Sequence, residues 1–555
     1  MECSAAAELL MPAGSLEKLK AAILYGADAV YMGTPDLSLR TRSDLSLDDV
    51  LEGVAFAHAS GKRAYLTLNL FSHNRDIEKL PDYVRAIREV QPDGVIVADP
   101  GVFAYVKETA PELALHISTQ ANVCSWLSVK FWERLGAALV VLAREVSFEE
   151  LKEIRERCPG IKLEAFIHGA MCMTYSGRCL LSNYMTERGA NQGNCANSCR
   201  WNYTLKARLK DGSLKDIPLN DETRELFDFL LEEENRPGQL MALKEDERGS
   251  YILNAKDLCL MPRLGELLAL GLDSLKVEGR NRSAYYVAVT ARAYRMAIDD
   301  WRRDPAGWRP DAYMRELATI PNRGYSLAFH DGKLSHHAHN FESTKTLSPY
   351  EYAGMIVDVT GDAFHVAVKN RLEMGDVLEF VPPGPREPLL LRIYEFDDVR
   401  HGRRTTAEGI NAGQQPVIRI PFSWFHQEDA ASLARDFPVY TVIRKEQGLS
   451  EEGFARLKLD GAALQAELGG GERAYQDKRK SLIEAMGTQT GGVSLRSPRL
   501  GVEGCCARGC NGCLHFWHEP RYERARELLR SKKQGKLLSE EEARNAKDAA
   551  RGSLA

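Results

Sequence analysis

Eight short apolar, β-branched segments recur through the first 300 or so residues, and this alternation limits the folds open to the chain more than any other feature. They are Glu8 to Met11, Ala29 to Met32, Ala64 to Leu70, Gly94 to Ala98, Leu113 to Ser118, Ala138 to Leu142, Leu163 to Ile167 and Ser274 to Val277. Helical periodicity follows each of the first six; in SLEKLKAAILYG, Ser15 is placed to cap a helix and Gly26 to end it. Strands separated by helices imply a parallel sheet with helical crossovers. Eight such units match a (β/α)8 TIM-like barrel, expected over residues 1–305. An open doubly wound sheet competes, but no G-x-G-x-x-G follows the first segment.

About 100 residues separate the seventh segment from the eighth, far more than one loop and one helix need. This insertion, 168–260, opens with Cys172, Cys179, Cys195 and Cys199 at C-x6-C-x15-C-x3-C, interleaved with Gly, Ser and Asn. Four soft ligands on pliant backbone suit a thiolate-bound metal, and the loop leaves the strand end where barrel active sites are built. The spacing alone leaves zinc and iron–sulfur equally open. Eight of the 12 cysteines fall in two local clusters, so metal ligation in a reducing compartment is the better reading than a disulfide framework. No basic n-region precedes the short N-terminal apolar stretch, and no apolar run reaches roughly 18 residues, so a cytoplasmic protein outside the membrane is expected. A net charge of −5 neither announces RNA binding nor excludes it, since a local basic patch suffices.

Polar residues gather at the other strand ends. HISTQAN places His116, Ser118 and Gln120 on one side by period-two alternation, with Asn122 just beyond; KVEGR repeats this with Lys276, Glu278 and Arg280; Asn69 closes the third segment and Arg144 with Glu145 the sixth. Some could equally fill barrel layers or cap loops, but as a set at one rim they predict a pocket for a polar or anionic small molecule. Arg280, Glu278, Lys276, His116 and Gln120 are the candidates for chemistry. Arg40, Arg42, Asn69, Ser118, Asn122, Arg144 and Arg178 are the candidates for substrate binding, because guanidinium groups grip carboxylates bidentately and amides complete the contacts.

Downstream, a linker is expected over 306–345 and a small β-barrel domain over 346–445, where alternating strands are punctuated by Thr360-Gly361-Asp362 and Gly375-Asp376. Residues 446–555 read as a Gly-rich linker and a Cys-rich C-terminal segment. There Cys505, Cys506, Cys510 and Cys513 could form a second metal site, zinc or iron–sulfur; their C-x3-C-x2-C part lies too far from the first strand for a radical S-adenosylmethionine site. From Arg521 onward ten Lys and Arg face six Asp and Glu, which suits RNA phosphates or a solvated helix alike.

The stretch EAFIHGAMCMTYSGRCLLS, Glu164 to Ser182, resembles the signature of the peptidase U32 family. PAGSLEKLKAAILYGADAVYMG, HISTQANVCSWLSVKFW, NQGNCANSCRW, YILNAKDLC and SLKVEGRNRSAYYVA are similar to the branch of that family that hydroxylates tRNA uridine at the wobble position. The resemblance covers about residues 5 to 445. It implies a [4Fe-4S] cluster on Cys172, Cys179, Cys195 and Cys199, with Cys259 as the alternative to Cys199. It also implies tRNA as substrate, prephenate or another small carboxylate as the hydroxyl source, and 5-hydroxyuridine as product.

Other readings stay open on residues alone: hydroxylation of ribosomal RNA or of a quinone precursor, an iron–sulfur or RNA-binding partner inactive alone, and a peptidase. Against the last, the chain has no H-E-x-x-H or G-x-S-x-G, and His336, His337 and His339 sit in a polar stretch after the barrel. A Cys–His pair of His168 and Cys172 is the only peptidase arrangement left, and cluster ligation would use the same thiol.

Overall fold

In the computed structural model, the described residues are 7–33, 45–69, 72–172, 174–175, 178, 182, 255–332, 347–405, 409–426 and 428–447, together with the backbone of six short strands between 206 and 251. Arg40, Arg42, Cys179, Cys195, Cys199, the three histidines at 336–339 and all four C-terminal cysteines lie outside them.

Eight parallel strands close into a barrel: β1 (Glu8–Pro12), β2 (Ala29–Met32), β3 (Arg63–Leu68), β4 (Gly94–Val97), β5 (Leu115–Ile117), β6 (Leu139–Val141), β7 (Lys162–Gly169) and β8 (Ser274–Val277). Each pairs with its neighbour in sequence, and β8 closes the ring against both β7 and β1. Six helices follow the first six strands: α1 (Leu16–Leu24), α2 (Leu47–Ala59), α3 (Leu80–Val90), α4 (Pro100–Thr109), α5 (Trp126–Arg134) and α6 (Phe148–Arg157). Ser15 caps α1 by accepting the Lys18 N–H, and Gly26, at φ +103°, takes the left-handed backbone just past its end. Capping boxes at Ser46 and Ser147 start α2 and α6.

The strands sort their side chains two ways. Leu9, Met11, Val30, Met32, Leu66, Val95 and Val97 join the core shared with the helices, whereas Leu10, Ala29, Tyr31, Tyr65 and Ile96 form a second cluster. Period-two alternation puts that second set inside the barrel.

β7 runs to Gly169, two residues past the expected Ile167. Its last residues pair antiparallel with a short strand, Asp257–Cys259, placing Cys259 opposite His168. The register against β8 shifts between Lys276 and Val277. Gly169 stands there at φ +123°, where a Cβ would collide with Glu278. Helix α7 (Leu264–Ala269) precedes β8, and α8 (Ala284–Arg303) and α9 (Asp311–Ala318) follow it.

The expected second β region is an antiparallel half-barrel of eight strands: β9 (Tyr350–Val359), β10 (Ala363–Val368), β11 (Val377–Val381), β12 (Leu389–Arg392), β13 (Phe396–Asp398), β14 (Arg403–Thr405), β15 (Val417–Pro421) and β16 (Val442–Glu446), in the order β12-β11-β16-β9-β10-β15-β13-β14. Phe364, Phe380, Phe422, Phe425 and Phe437 meet edge to face or tilted at its centre. It is tied to the barrel by buried polar contacts. Tyr25 Oη, one residue past α1, donates to Val381 O and accepts the Val442 N–H, and Arg444 reaches Glu379 on β11 and Thr319 beyond α9. Among the described residues no helix is long and apolar enough to cross a membrane.

Candidate active site at the barrel mouth

Charged residues climb the inside of the barrel towards its C-terminal mouth. Glu8 Oε2 meets Arg63 at 2.5 Å and accepts the Tyr65 hydroxyl at 2.8 Å. Ser274 Oγ lies 3.4 Å from Glu8 Oε1 and 2.9 Å from Glu164 Oε2, and Glu164 Oε1 receives Lys276 Nζ at 2.7 Å. One hydroxyl hydrogen cannot serve two carboxylates, so both contacts are hydrogen bonds only while one of the two carboxyls is protonated and donates to Ser274 Oγ. Burial pushes the Glu8 carboxyl up to about 7, which places a proton there close to neutrality. Burial also pulls Lys276 below the ordinary ammonium value, with Glu164 opposing.

Above this network Lys276 Nζ lies 4.5 Å from the Tyr31 ring centroid and 5.6 Å from that of Phe166. The same two rings carry the mouth's guanidinium groups. Arg280 Cζ sits 5.8 Å from the Tyr31 ring, with NH1 donating to Thr67 Oγ1 at 2.8 Å. Arg144 Cζ sits 4.0 Å from the Phe166 ring, with NH1 donating to Ala170 O at 2.6 Å. Aromatic faces and neutral oxygens hold the Arg144 side chain without cancelling its charge. The Gly14 backbone passes so close to Arg280 O that a Cβ there would run into it, and Lys18 Nζ donates to the same oxygen, which fixes the loop after β8 against the start of α1.

Across the mouth, Asn69, Ser118, Gln120 and Asn122 supply neutral polar groups. Asn69 Nδ2 donates to Ser118 Oγ at 3.3 Å, and that oxygen also receives the Gln120 N–H. Asn122, in left-handed backbone at φ 52°, donates from Nδ2 to Gln120 O at 3.0 Å. Five side-chain atoms around the mouth are buried without a hydrogen-bond partner: Asn69 Oδ1, Gln120 Oε1, Asn122 Oδ1, Glu145 Oε2 and Arg144 Nε. Native proteins leave few such atoms, and here they concentrate at the ends of β3, β5 and β6.

The structure thus brings Asn69, Ser118, Gln120, Asn122, Arg144, Lys276 and Arg280 to one end of one barrel. His116 lies a layer deeper, its ring 4.8 Å from that of Tyr65, with burial pushing its imidazole down to about 3. Glu278 braces the β7–β8 junction, where its N–H donates to His168 O and its Oε2 accepts the Ala170 N–H, and its carbonyl accepts the Tyr286 hydroxyl from α8. Arg178 and Cys172 are exposed beyond the end of β7. His168 is buried among Tyr286, Tyr294 and Tyr325, and burial pushes it down to about 4. Cys259 is a core thiol 3.8 Å from Tyr294 Oη and 3.7 Å from Met314 Sδ, pushed up to about 11 by burial. Sequence reasoning passed over Tyr31, Thr67, Phe166, Glu8 and Glu164; the two acids carry a usable signal, a charge at an inward position of an apolar strand.

The sequence profile of Peptidase family U32 matches residues 14–340, more than half of the chain and the whole of the rim just described. The chain belongs to the peptidase U32 family. Within it, this U32 chain is 40% identical over 398 residues to the tRNA hydroxylation protein P of Escherichia coli K12, covering 68% of this chain and 86% of that one. It is 37% identical over 380 residues to the tRNA hydroxylation protein P1 of Bacillus subtilis 168, covering 68% and 83%. The 23S rRNA 5-hydroxycytidine C2501 synthase of E. coli K12 is 31% identical over 381 residues, 67% of this chain and 52% of that one.

Proposed function

We propose that this U32 chain is an RNA-modifying enzyme that hydroxylates uridine in tRNA at the mouth of its barrel. The observation that carries the reading is the mouth itself, where a guanidinium held by a ring and a backbone oxygen stands beside four buried acceptors with no partner. Such a pocket suits a polar substrate together with an anion. Relatives named for tRNA hydroxylation align over more than four fifths of their length, which supports the same substrate class.

In finer detail, the product is 5-hydroxyuridine at the wobble position, and prephenate is the oxygen source. Arg144 and Arg280 bind its carboxylates, and Lys276 sets the positive potential beneath them; in a site walled by Tyr31 and Phe166 these charges act with little solvent screening. A [4Fe-4S] cluster would be held by Cys172, Cys179, Cys195 and Cys199 and, when bound, would supply electron-transfer chemistry. Cys172 fits, being exposed three residues past the end of β7. Cys259 fits poorly, because its thiol is enclosed in the tyrosine-lined core against Tyr294 and Met314.

Anaerobic incubation of the iron-loaded chain with unmodified tRNA and prephenate, followed by nucleoside mass spectrometry, tests the reading. Hydroxylated uridine is expected only with all three present. Its absence, or a colourless protein carrying stoichiometric zinc, would remove the activity or the cluster assignment respectively.

A further inference from the structure

The acceptors at the mouth call for a partner with hydrogens to give. Asn69 is only 9% exposed, and its Oδ1 is buried together with Gln120 Oε1, Asn122 Oδ1 and Glu145 Oε2, all without hydrogen-bond partners. Contacts from behind fix their supports: Asn122 through Gln120 O, Asn69 through Ser118 Oγ, and Ser118 in turn through the Gln120 N–H. A carboxylate co-substrate offers this wall almost nothing but further acceptors, and oxygen facing oxygen repels. Of the cations, Arg144 follows β6, Lys276 lies on β8 over the Tyr31 and Phe166 rings, and Arg280 crosses from the loop after β8 to donate to Thr67 Oγ1 on β3. The unpaired oxygens therefore form an acceptor set of their own at the ends of β3, β5 and β6, and such a set suits a neutral group rich in N–H and O–H.

We infer that Asn69, Gln120, Asn122 and Glu145 form the nucleoside subsite, taking an extruded uridine through its imide N–H and ribose hydroxyls while the small anion occupies the cationic side. The inference rests on the RNA-hydroxylation reading and adds how the base is chosen. A base must leave its stack to reach such a mouth, and the unpaired nucleotides of an RNA loop do so at least cost. Uridine presents a donor at N3, where cytidine presents an acceptor. An acceptor wall left facing an acceptor carries an unmade buried contact, and so does one facing a ribose without its 2′-hydroxyl.

The test uses the full chain and a short RNA hairpin with a single loop uridine, compared with hairpins carrying cytidine or 2′-deoxyuridine at that position. Fluorescence titration should show each substituted hairpin binding about tenfold more weakly. Asn122→Gly, which tolerates the left-handed backbone, and Gln120→Ala should each shrink that preference below about threefold while holding the cytidine hairpin as the unmodified protein does. Equal binding of the three hairpins, or variants that keep the full preference, would overturn the inference and leave the RNA reading standing. Failure to bind any hairpin would overturn both.

Discussion

The two sides of the barrel mouth rest on different supports. Beneath the cationic side, Lys276 is bonded to Glu164, which shares Ser274 with Glu8: a buried network in the body of the barrel, closed at its far end by the exposed Arg63. The amides of the acceptor side hang from the loops after β3 and β5 on single neutral hydrogen bonds. Changing Lys276 or the acids beneath it disturbs buried charge; changing the amides of the acceptor side disturbs only a loop. On the proposed assignment, anion binding is fixed by the fold and base choice is left adjustable.

The largest expected effect comes from breaking the support of the cationic side. Glu164→Ala leaves Lys276 buried without its carboxylate and should cost about 3–5 kcal/mol in denaturant unfolding. A Glu164→Leu, Lys276→Met double variant should recover most of that loss, because burying neither charge avoids the penalty. Next comes Arg144→Ala, which removes charge without removing a buried partner. Product formation at limiting co-substrate should fall on the order of 100-fold while the unfolding midpoint stays close to that of the unaltered protein. On the acceptor side, Asn69→Ala should raise the apparent KM for RNA about tenfold and leave the KM for the small carboxylate unchanged. A drop in affinity for both ligands would erase the division between the sides.

The smallest effect is a difference in pH response. Glu8 has a raised folded-state pKa, so its contribution to stability is present below about 4.5 and is lost as pH rises towards 7. His116, beneath the acceptor side, is depressed to about 3, so its unfolded form binds the extra proton and stability is lost as pH falls below about 6.5. Glu8→Gln and His116→Phe should therefore tilt the pH–stability curve in opposite directions between pH 5 and 6.5, each by at most one proton, about 1.4 kcal/mol per pH unit. Parallel shifts would show that burial does not hold these groups as described.

How far the sequence could be read follows from the same contrast. The eight barrel strands were legible because each is a short apolar run with a helix beyond it, and Ser15 and Gly26 marked the first helix from local chemistry alone. Glu8 and Glu164 went unread although a charge inside an apolar strand is a signal in itself, because a strand buried on both faces does not announce which of its residues face inward. The antiparallel strand Asp257–Cys259 was missed because three residues carry no period. Ser118 reached the mouth by strand alternation as expected. Gln120 and Asn122 did so by another route: the strand stops at Ile117, and a 3₁₀ turn over Thr119–Ala121 delivers them. The cationic residues declared themselves by type; that Arg144 is held by Phe166 and Ala170 depends on long-range packing no local pattern encodes.

The central claim is that this mouth hydroxylates tRNA uridine, and nucleoside mass spectrometry of tRNA from cells lacking the gene tests it most directly, after complementation with the unaltered chain or with Arg144→Ala. The account predicts that 5-hydroxyuridine-derived nucleosides disappear without the gene, return with the unaltered chain, and stay at or near zero with a folded Arg144→Ala protein. Full restoration by Arg144→Ala, or nucleosides unchanged by loss of the gene in cells with no second such enzyme, would contradict it.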